Sequence, residues 1–315
     1  MKVTSMRKKH PRKAQSSSSD PKQRVKHGAK QGAKQGAKQG AKPRSGQPHG
    51  QHNHAPRSKS GEMSGPAITC PRDAVMIWGR HAVGEALKNP KRKFLKLYAS
   101  PDMMDWLAEH NRLHDLQPIV MEKPAMTEGL RAATPDDQIV HQGIIAIARP
   151  LHQPSLDDWL DQLDDERPLV VLLDQITDAR NIGAIMRSAR AFRVSAMIAT
   201  DRHCPDENGA MLRTASGAMD HLPLIRVVNL ARAMEKLQDH GFMLAGMTAR
   251  GDVPLRQLAD YDRLGIIMGA EGKGLRRLTE DHADLLVRIP IDDQAESLNV
   301  SNAAAVALYA AQPAD

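Results

Sequence analysis

Cysteine is nearly absent. The 315 residues hold two, Cys70 and Cys204. Two thiols this far apart make neither a metal-ligand spacing nor a disulfide framework, which fits a reducing, cytoplasmic setting. Long apolar runs are missing too. No stretch reaches the roughly 20 residues a membrane-spanning helix needs. The basic N-terminus has no apolar segment behind it and does not read as a secretory signal, although its acid-poor composition leaves an organellar transit peptide open. The nucleotide-binding glycine patterns are lacking as well: there is no GxxxxGK[ST], and GAEGKG at 269–274 has the order GxxGxG, not the dinucleotide GxGxxG.

Acidic residues are scarce in one region only. Residues 1–73 carry 17 Lys/Arg against 3 Asp/Glu, whereas the remainder carries 27 against 34, so an arm of about +14 precedes a body of about −7. That asymmetry points to a polyanionic partner, most simply nucleic acid. GAK at 28–30 is followed by QGAK at 31–34, 35–38 and 39–42. A repeat with no apolar face and a glycine every fourth residue cannot build a core or a stable helix, so 1–73 is expected to be disordered. His49, His52 and His54 read as a solvated tract within it.

Order is expected from about Val75. Over 74–150, a helix at Arg80–Lys88, the strand FLKLYAS, the helix MMDWLAEHNRLHD, the strand PIVME, a short helix at Thr127–Ala133 and the strand GIIAIARP suggest one small α/β domain. SLDDWLDQLDDE, within a linker at 151–167, is an acidic amphipathic helix with Ser155 as its N-cap. From 168 to 315 strands and helices alternate. LVVLLDQI opens on a short, continuous apolar run, as in a strand buried on both faces, and SAMIAT, FMLAGMTA, GIIMG and LLVRIPI follow between helical segments. Such alternation predicts a mainly parallel α/β sheet with helices on both faces and ligands beyond the strands' carboxyl ends.

Three segments could carry chemistry. In DARNIGAIMRSARAFR, Ile182, Ile185, Met186 and Ala189 form the apolar stripe of a helix, Asn181 could cap it, and Arg187, Arg190 and Arg193 lie off the stripe. In GIIMGAEGKGL, glycines permit a tight turn with Glu271 at its apex. In AESLNVSNAAAVAL, Ser297, Asn299 and Ser301 supply more polar groups than one helix start requires. Each alone also fits a cap, a turn or a solvated face.

In order, however, NIGAIMR, GAEGKGL and IPI…ESLNVS closely resemble the three motifs of the SpoU (TrmH) family of RNA ribose 2′-O-methyltransferases. RTASGAMDHLPL at 213–224 is similar to the family's intervening segment. The resemblance spans about 168–311, and residues 75–150 look like the family's small L30e/L7Ae-like RNA-binding domain. Asn302 departs from the motif, which often has valine there. The resemblance implies an α/β fold with a C-terminal trefoil knot, a homodimer and S-adenosylmethionine as cofactor, with no metal. It implies a catalytic set of Asn181, Arg187, Glu271, Ser297 and Asn299. Thr248, Gly251, Gly269, Ile289 and Leu298 would surround the cofactor. The added small domain favours a guanosine of 23S ribosomal RNA over tRNA as target. A noncatalytic RNA-binding or ribosome-assembly factor is the other reading of the same scaffold.

Overall fold

The computed structural model describes residues 68–111, 116–134, 139–292, 294 and 297–313. The QGAK repeat, the three arm histidines and residues 1–67 of the arm expected to be disordered over 1–73 lie outside these residues; the end of that arm is described, and its Ile68 is buried against the small sheet rather than disordered.

The first part of the body is a four-stranded sheet, β1 (Val75–Trp78), β2 (Phe94–Ala99), β3 (Ile119–Val120) and β4 (Ile144–Ala148), in the order β1-β4-β2-β3. β4 runs antiparallel to both β1 and β2. Its sequence IIAIA is buried throughout because both faces are covered. Strand alternation sends Ile144, Ala146 and Ala148 to one side, into the core shared with α1 (Arg80–Lys88) and α2 (Met104–His110). Ile145 and Ile147 go to the other side, against Met126 and Leu130 of α3 (Lys123–Ala133) and against Ile68. α3 starts before the expected Thr127 because Pro124 suits a first helical turn.

His141, just before β4, is buried. Its Nδ1 accepts from the Gly143 amide at 3.0 Å, so its hydrogen sits on Nε2, 3.0 Å from the Thr127 hydroxyl. Burial pushes this imidazole below its usual pKa. The folded value lies below the unfolded one of about 6.5, so neutral His141 contributes stability above that pH, and the contribution is lost as pH falls below it. His141→Asn, which can keep the acceptor, should narrow the gap between urea midpoints measured at pH 5 and pH 7.5. An identical gap in both proteins would refute this.

The second part is a seven-stranded sheet, all of whose pairings are parallel: β5 (Leu169–Asp174), β6 (Ala196–Thr200), β7 (Leu224–Val227), β8 (Met243–Met247), β9 (Val253–Pro254), β10 (Leu264–Gly269) and β11 (Leu285–Arg288). Their order is β7-β6-β5-β10-β8-β11-β9, so β10 returns between β5 and β8, and β11 between β8 and β9. Val171 and Leu173 of β5 face the core built with α5 (Ala179–Ala191), α6 (Gly209–Ala215) and α9 (Val300–Ala310). Val170 and Leu172 face the other layer, α4 (Leu156–Asp161) and α7 (Leu230–Asp239). Two-sided burial accounts for the unbroken apolar run. Ser155 caps α4 by accepting from the Asp158 amide, though α4 stops well short of Glu166. The short helix α8 (Arg277–His282) carries no apolar stripe to reveal it beforehand.

A buried charge cluster joins the two parts. Arg92, 1% exposed, donates to Asp220 at 2.9 Å and Glu207 at 2.5 Å. Asn89 also bonds Asp220, and Glu207 accepts from the Leu151 amide. Nearby, His221 contacts Glu85 of α1 at 2.6 Å.

Candidate active site

Three chain segments converge at the carboxyl ends of the central parallel strands. β5 and β10 run in register, with Gly269 beside Asp174, so the loop after β10 lies next to the turn that leads into α5. α9 packs on α5, which brings the last segment to the same place.

The helix α5 is capped by Asp178, whose side chain accepts from the Arg180 amide. Asn181, the cap expected from sequence, is instead inside the first turn, so its amide is available for tertiary bonds. Its Nδ2 reaches the Glu271 carboxylate at 3.4 Å, and its Oδ1 accepts from Asn299 Nδ2 at 3.2 Å. Asn299 in turn caps α9, accepting from the Ser301 amide at 2.9 Å and hydroxyl at 2.6 Å. One asparagine thereby links all three segments, 90 and 118 residues away along the chain. Ile182, Ile185, Met186 and Ala189 are all buried, as their spacing predicts, while Arg187 points outward.

The loop 270–274 is closed by reciprocal backbone bonds, Ala270 to Gly274 at 3.1 and 2.8 Å. Gly272 and Gly274 have φ of 77° and 68°, a conformation that side chains disfavour. A Cβ at Gly269 would overlap the backbone of Gly274 and Leu275. The bare backbone there serves first the loop's own return, and Glu271 is left exposed at the apex.

Beneath the loop lies a pair that sequence reasoning missed. Asp174, fully buried at the end of β5, accepts from the Arg276 amide at 2.9 Å and its Nε at 2.5 Å. Charge-assisted bonds of this kind contribute about 1.5–3 kcal/mol. They fasten the end of the Glu271 loop to the strand preceding α5. The available signal was an acid closing an otherwise apolar strand.

The residues expected around a cofactor fall at the ends of the adjacent strands β8, β10 and β11. Thr248, just past β8, donates its amide to Val287 at 2.9 Å and accepts from Gly251 at 3.2 Å. Gly251 is buried where a Cβ would strike the backbone of β11. Ile289 follows β11, and Ile291 and Leu298 in the same segment are 40% and 37% exposed, so apolar side chains lie open beside a polar triad. Ser297 is exposed and, like Arg187, makes no hydrogen bond to Asn181, Glu271 or Asn299 among the described residues. No cluster of three or more His, Cys, Asp or Glu residues that could hold a metal occurs among the described residues. No described helix is long and apolar enough to cross a membrane.

This architecture is that of a known class of enzyme. The crystal structure of the SpoU methyltransferase AviRb from Streptomyces viridochromogenes in complex with AdoMet superposes with a TM-score of 0.62 at 22% identity, covering 76% of this chain and 89% of that one. An AdoMet-bound rRNA methyltransferase from Sinorhizobium meliloti gives 0.61 at 22% identity, covering 76% and 87%. The fold is thus that of RNA methyltransferases. Residues 168–309 match the SpoU rRNA Methylase family. The 23S rRNA (guanosine-2′-O-)-methyltransferase RlmB of Yersinia pestis is 36% identical over 241 residues, covering 74% of this chain and 95% of that protein. RlmB of Escherichia coli K12 is 35% identical over 243 residues, covering 75% and 97%. A Synechocystis protein described as an uncharacterized tRNA/rRNA methyltransferase is 34% identical over 244 residues, and the chain spans only 61% of its length. The chain belongs to the SpoU rRNA methylase family and is an RNA methyltransferase.

Proposed function

We propose that the protein transfers a methyl group from S-adenosylmethionine to the ribose 2′-hydroxyl of a guanosine in 23S ribosomal RNA. The observation that carries this reading is the bonded chain Asn299–Asn181–Glu271, which unites the three motifs at the sheet's carboxyl edge. The 95–97% coverage of the RlmB relatives supports the target.

When bound, the cofactor supplies an electrophilic methyl group on a sulfonium. The partly buried Ile289 and the exposed Leu298, beside the polar backbone of the loops at Thr248, Gly251 and Gly269, suit a group with an aromatic base and a charged tail. The protein's own work is then alignment and the handling of one proton. Asn181 orients Glu271 and Asn299 from one amide. Ser297 and Arg187 complete the set from the rim. A guanidinium does not give up its proton in proteins, so Arg187 holds the target phosphate and stabilises negative charge growing on the 2′-oxygen. The proton leaves to phosphate or water.

The interleaved return of β10 and β11 between earlier strands supports a trefoil knot in this part of the chain. The sheet with α1 to α3 acts as the L30e-like RNA-binding domain. α9 exposes Asn302, Val306 and Tyr309 at helical spacing, with Tyr309 71% exposed. This surface supports a homodimer, and its polar Asn302 sits on that outward face. The setting is cytoplasmic.

The test is incorporation of tritiated methyl groups from S-adenosylmethionine into total RNA, followed by nucleotide mapping. Label in 2′-O-methylguanosine of 23S RNA is expected. Label in tRNA would move the target, and cofactor binding without any label would overturn the enzymatic reading.

The basic arm raises affinity for RNA without sequence preference. Deletion ahead of Ile68, which belongs to the buried core, should raise the RNA dissociation constant. It should also flatten the plot of log affinity against log salt by about 0.7–0.9 per lost phosphate contact. Identical binding of both proteins at low and high salt would reject this role.

A further inference from the structure

Outside the site just described, a cleft of about 440 Å³ opens between α1 and α2. Its walls are built from stacked planar groups. The Trp106 indole and His110 imidazole lie 4.1 Å apart and within 19° of parallel. The Arg80 guanidinium lies 5.5 Å from the centre of the same indole. Gly84 allows the arrangement, because the indole edge sits 3.3 Å from where its Cβ would be. The chain has only three tryptophans. Trp78 is buried in the core and Trp159 packs against Phe242, whereas Trp106 turns part of its surface to this cleft.

The cleft's chemistry is cationic. Its two cations are Arg80 and Lys88, set beside the His81 and His110 rings, with Glu85 as the one carboxylate in the lining. Glu85 is already engaged by Lys88 at 2.7 Å and His221 at 2.6 Å. His110 Nδ1–H donates to the Trp106 carbonyl at 2.8 Å, which holds the imidazole in its stack on the indole. Aromatic faces beside a guanidinium suit a flat, electron-rich ring that carries a phosphate. A base within a duplex cannot offer its face to such a stack, but an unpaired one can.

We propose that this cleft binds one unpaired nucleotide of the RNA substrate, its base stacked on the Trp106–His110 pair and its phosphate held by Arg80. The inference rests on the reading of the chain as an RNA methyltransferase. It adds a second point of attachment, formed by residues 80–142 rather than by the motif residues 181–299. The Glu85–His221 contact ties α1 to the turn at 218–220, which packs on α5, so this attachment is held in fixed relation to the helix bearing Arg187.

The experiment measures equilibrium binding of the full chain to a single-stranded RNA of about ten nucleotides and to a duplex of equal length, with salt raised to screen the arm. Trp106→Ala should weaken single-strand binding by about 5- to 100-fold. Trp106→Phe should retain most of the affinity, and His110→Ala should lose less than Trp106→Ala. Duplex and S-adenosylmethionine affinities should not move. Full single-strand affinity in Trp106→Ala would overturn the proposal. Equal losses in the alanine and phenylalanine variants, or an equal loss for duplex, would overturn it too, the first indicating packing and the second a backbone-only site. If Trp106→Ala fails to fold, undiminished binding by both Arg80→Gln and His110→Ala has the same force. Binding is read without turnover, so failure here leaves the methyl-incorporation test untouched.

Discussion

Arg187→Ala should lower methyl transfer by at least about 10²- to 10³-fold, the usual effect of removing a donor that stabilises developing negative charge. Affinity for S-adenosylmethionine should stay within about twofold, since Arg187 makes no bond to the loops of Thr248, Gly251 and Gly269 among the described residues. Its outward position on α5 explains why the fold should tolerate the change: the helix is held by Ile182, Ile185, Met186 and Ala189, all buried on the opposite side. Arg187→Lys should restore only part of the rate, because a lysine cannot reproduce a two-pronged grip on phosphate. Rate and equilibrium are read separately, by single-turnover methylation and by calorimetric titration. Near-normal methylation by the alanine variant would remove Arg187 from the catalytic set. A parallel collapse of cofactor affinity would make it a structural residue.

The second large effect concerns stability. Arg92 is desolvated, which works against its charge, but the Asp220 and Glu207 carboxylates more than offset that and hold its pKa above the ordinary value. Replacing Arg92 with methionine would leave two buried carboxylates facing each other without a counter-charge. Breaking such a cluster costs about 3–5 kcal/mol, a large share of the roughly 5–15 kcal/mol that stabilises a typical domain. The unfolding free energy from urea titration should fall by that amount, with the junction between the four-stranded and seven-stranded parts opening first. The triple variant Arg92→Met, Glu207→Gln, Asp220→Asn should recover most of the loss, because removing all the charges relieves the desolvation that a single replacement leaves behind. A loss under about 1 kcal/mol in the single variant would show that the cluster is not the fastening it resembles.

The course of the fold was legible wherever local pattern and burial coincide. LVVLL, an apolar run that Asp174 closes, predicts a strand covered on both faces, and IIAIA predicts a strand; both strands form and both are buried throughout. The stripe on α5 falls on the predicted residues for the same reason. Patterning could not announce α8, whose six residues carry no stripe, or β9, whose two residues are paired only by their neighbour β11. The cap of α5 was misplaced onto Asn181 because Asp178 and Asn181 are both good capping residues. Only the actual helix start, which Asp178 captures first, distinguishes them.

By itself, the sequence determined the longer, patterned elements, the uneven charge and the three polar segments. These are local properties, written in periodicity and residue type. Tertiary structure alone decided that Asn181 bonds both Glu271 and Asn299, and that Asp174 secures Arg276 beneath the loop. It also decided that Gly269 must lack a side chain because Gly274 and Leu275 fold back onto it, and that Arg92 finds its carboxylates 115 and 128 residues away. Each of these depends on which strand enters the sheet beside which. That order is set by the burial of whole faces, which no short window of sequence contains.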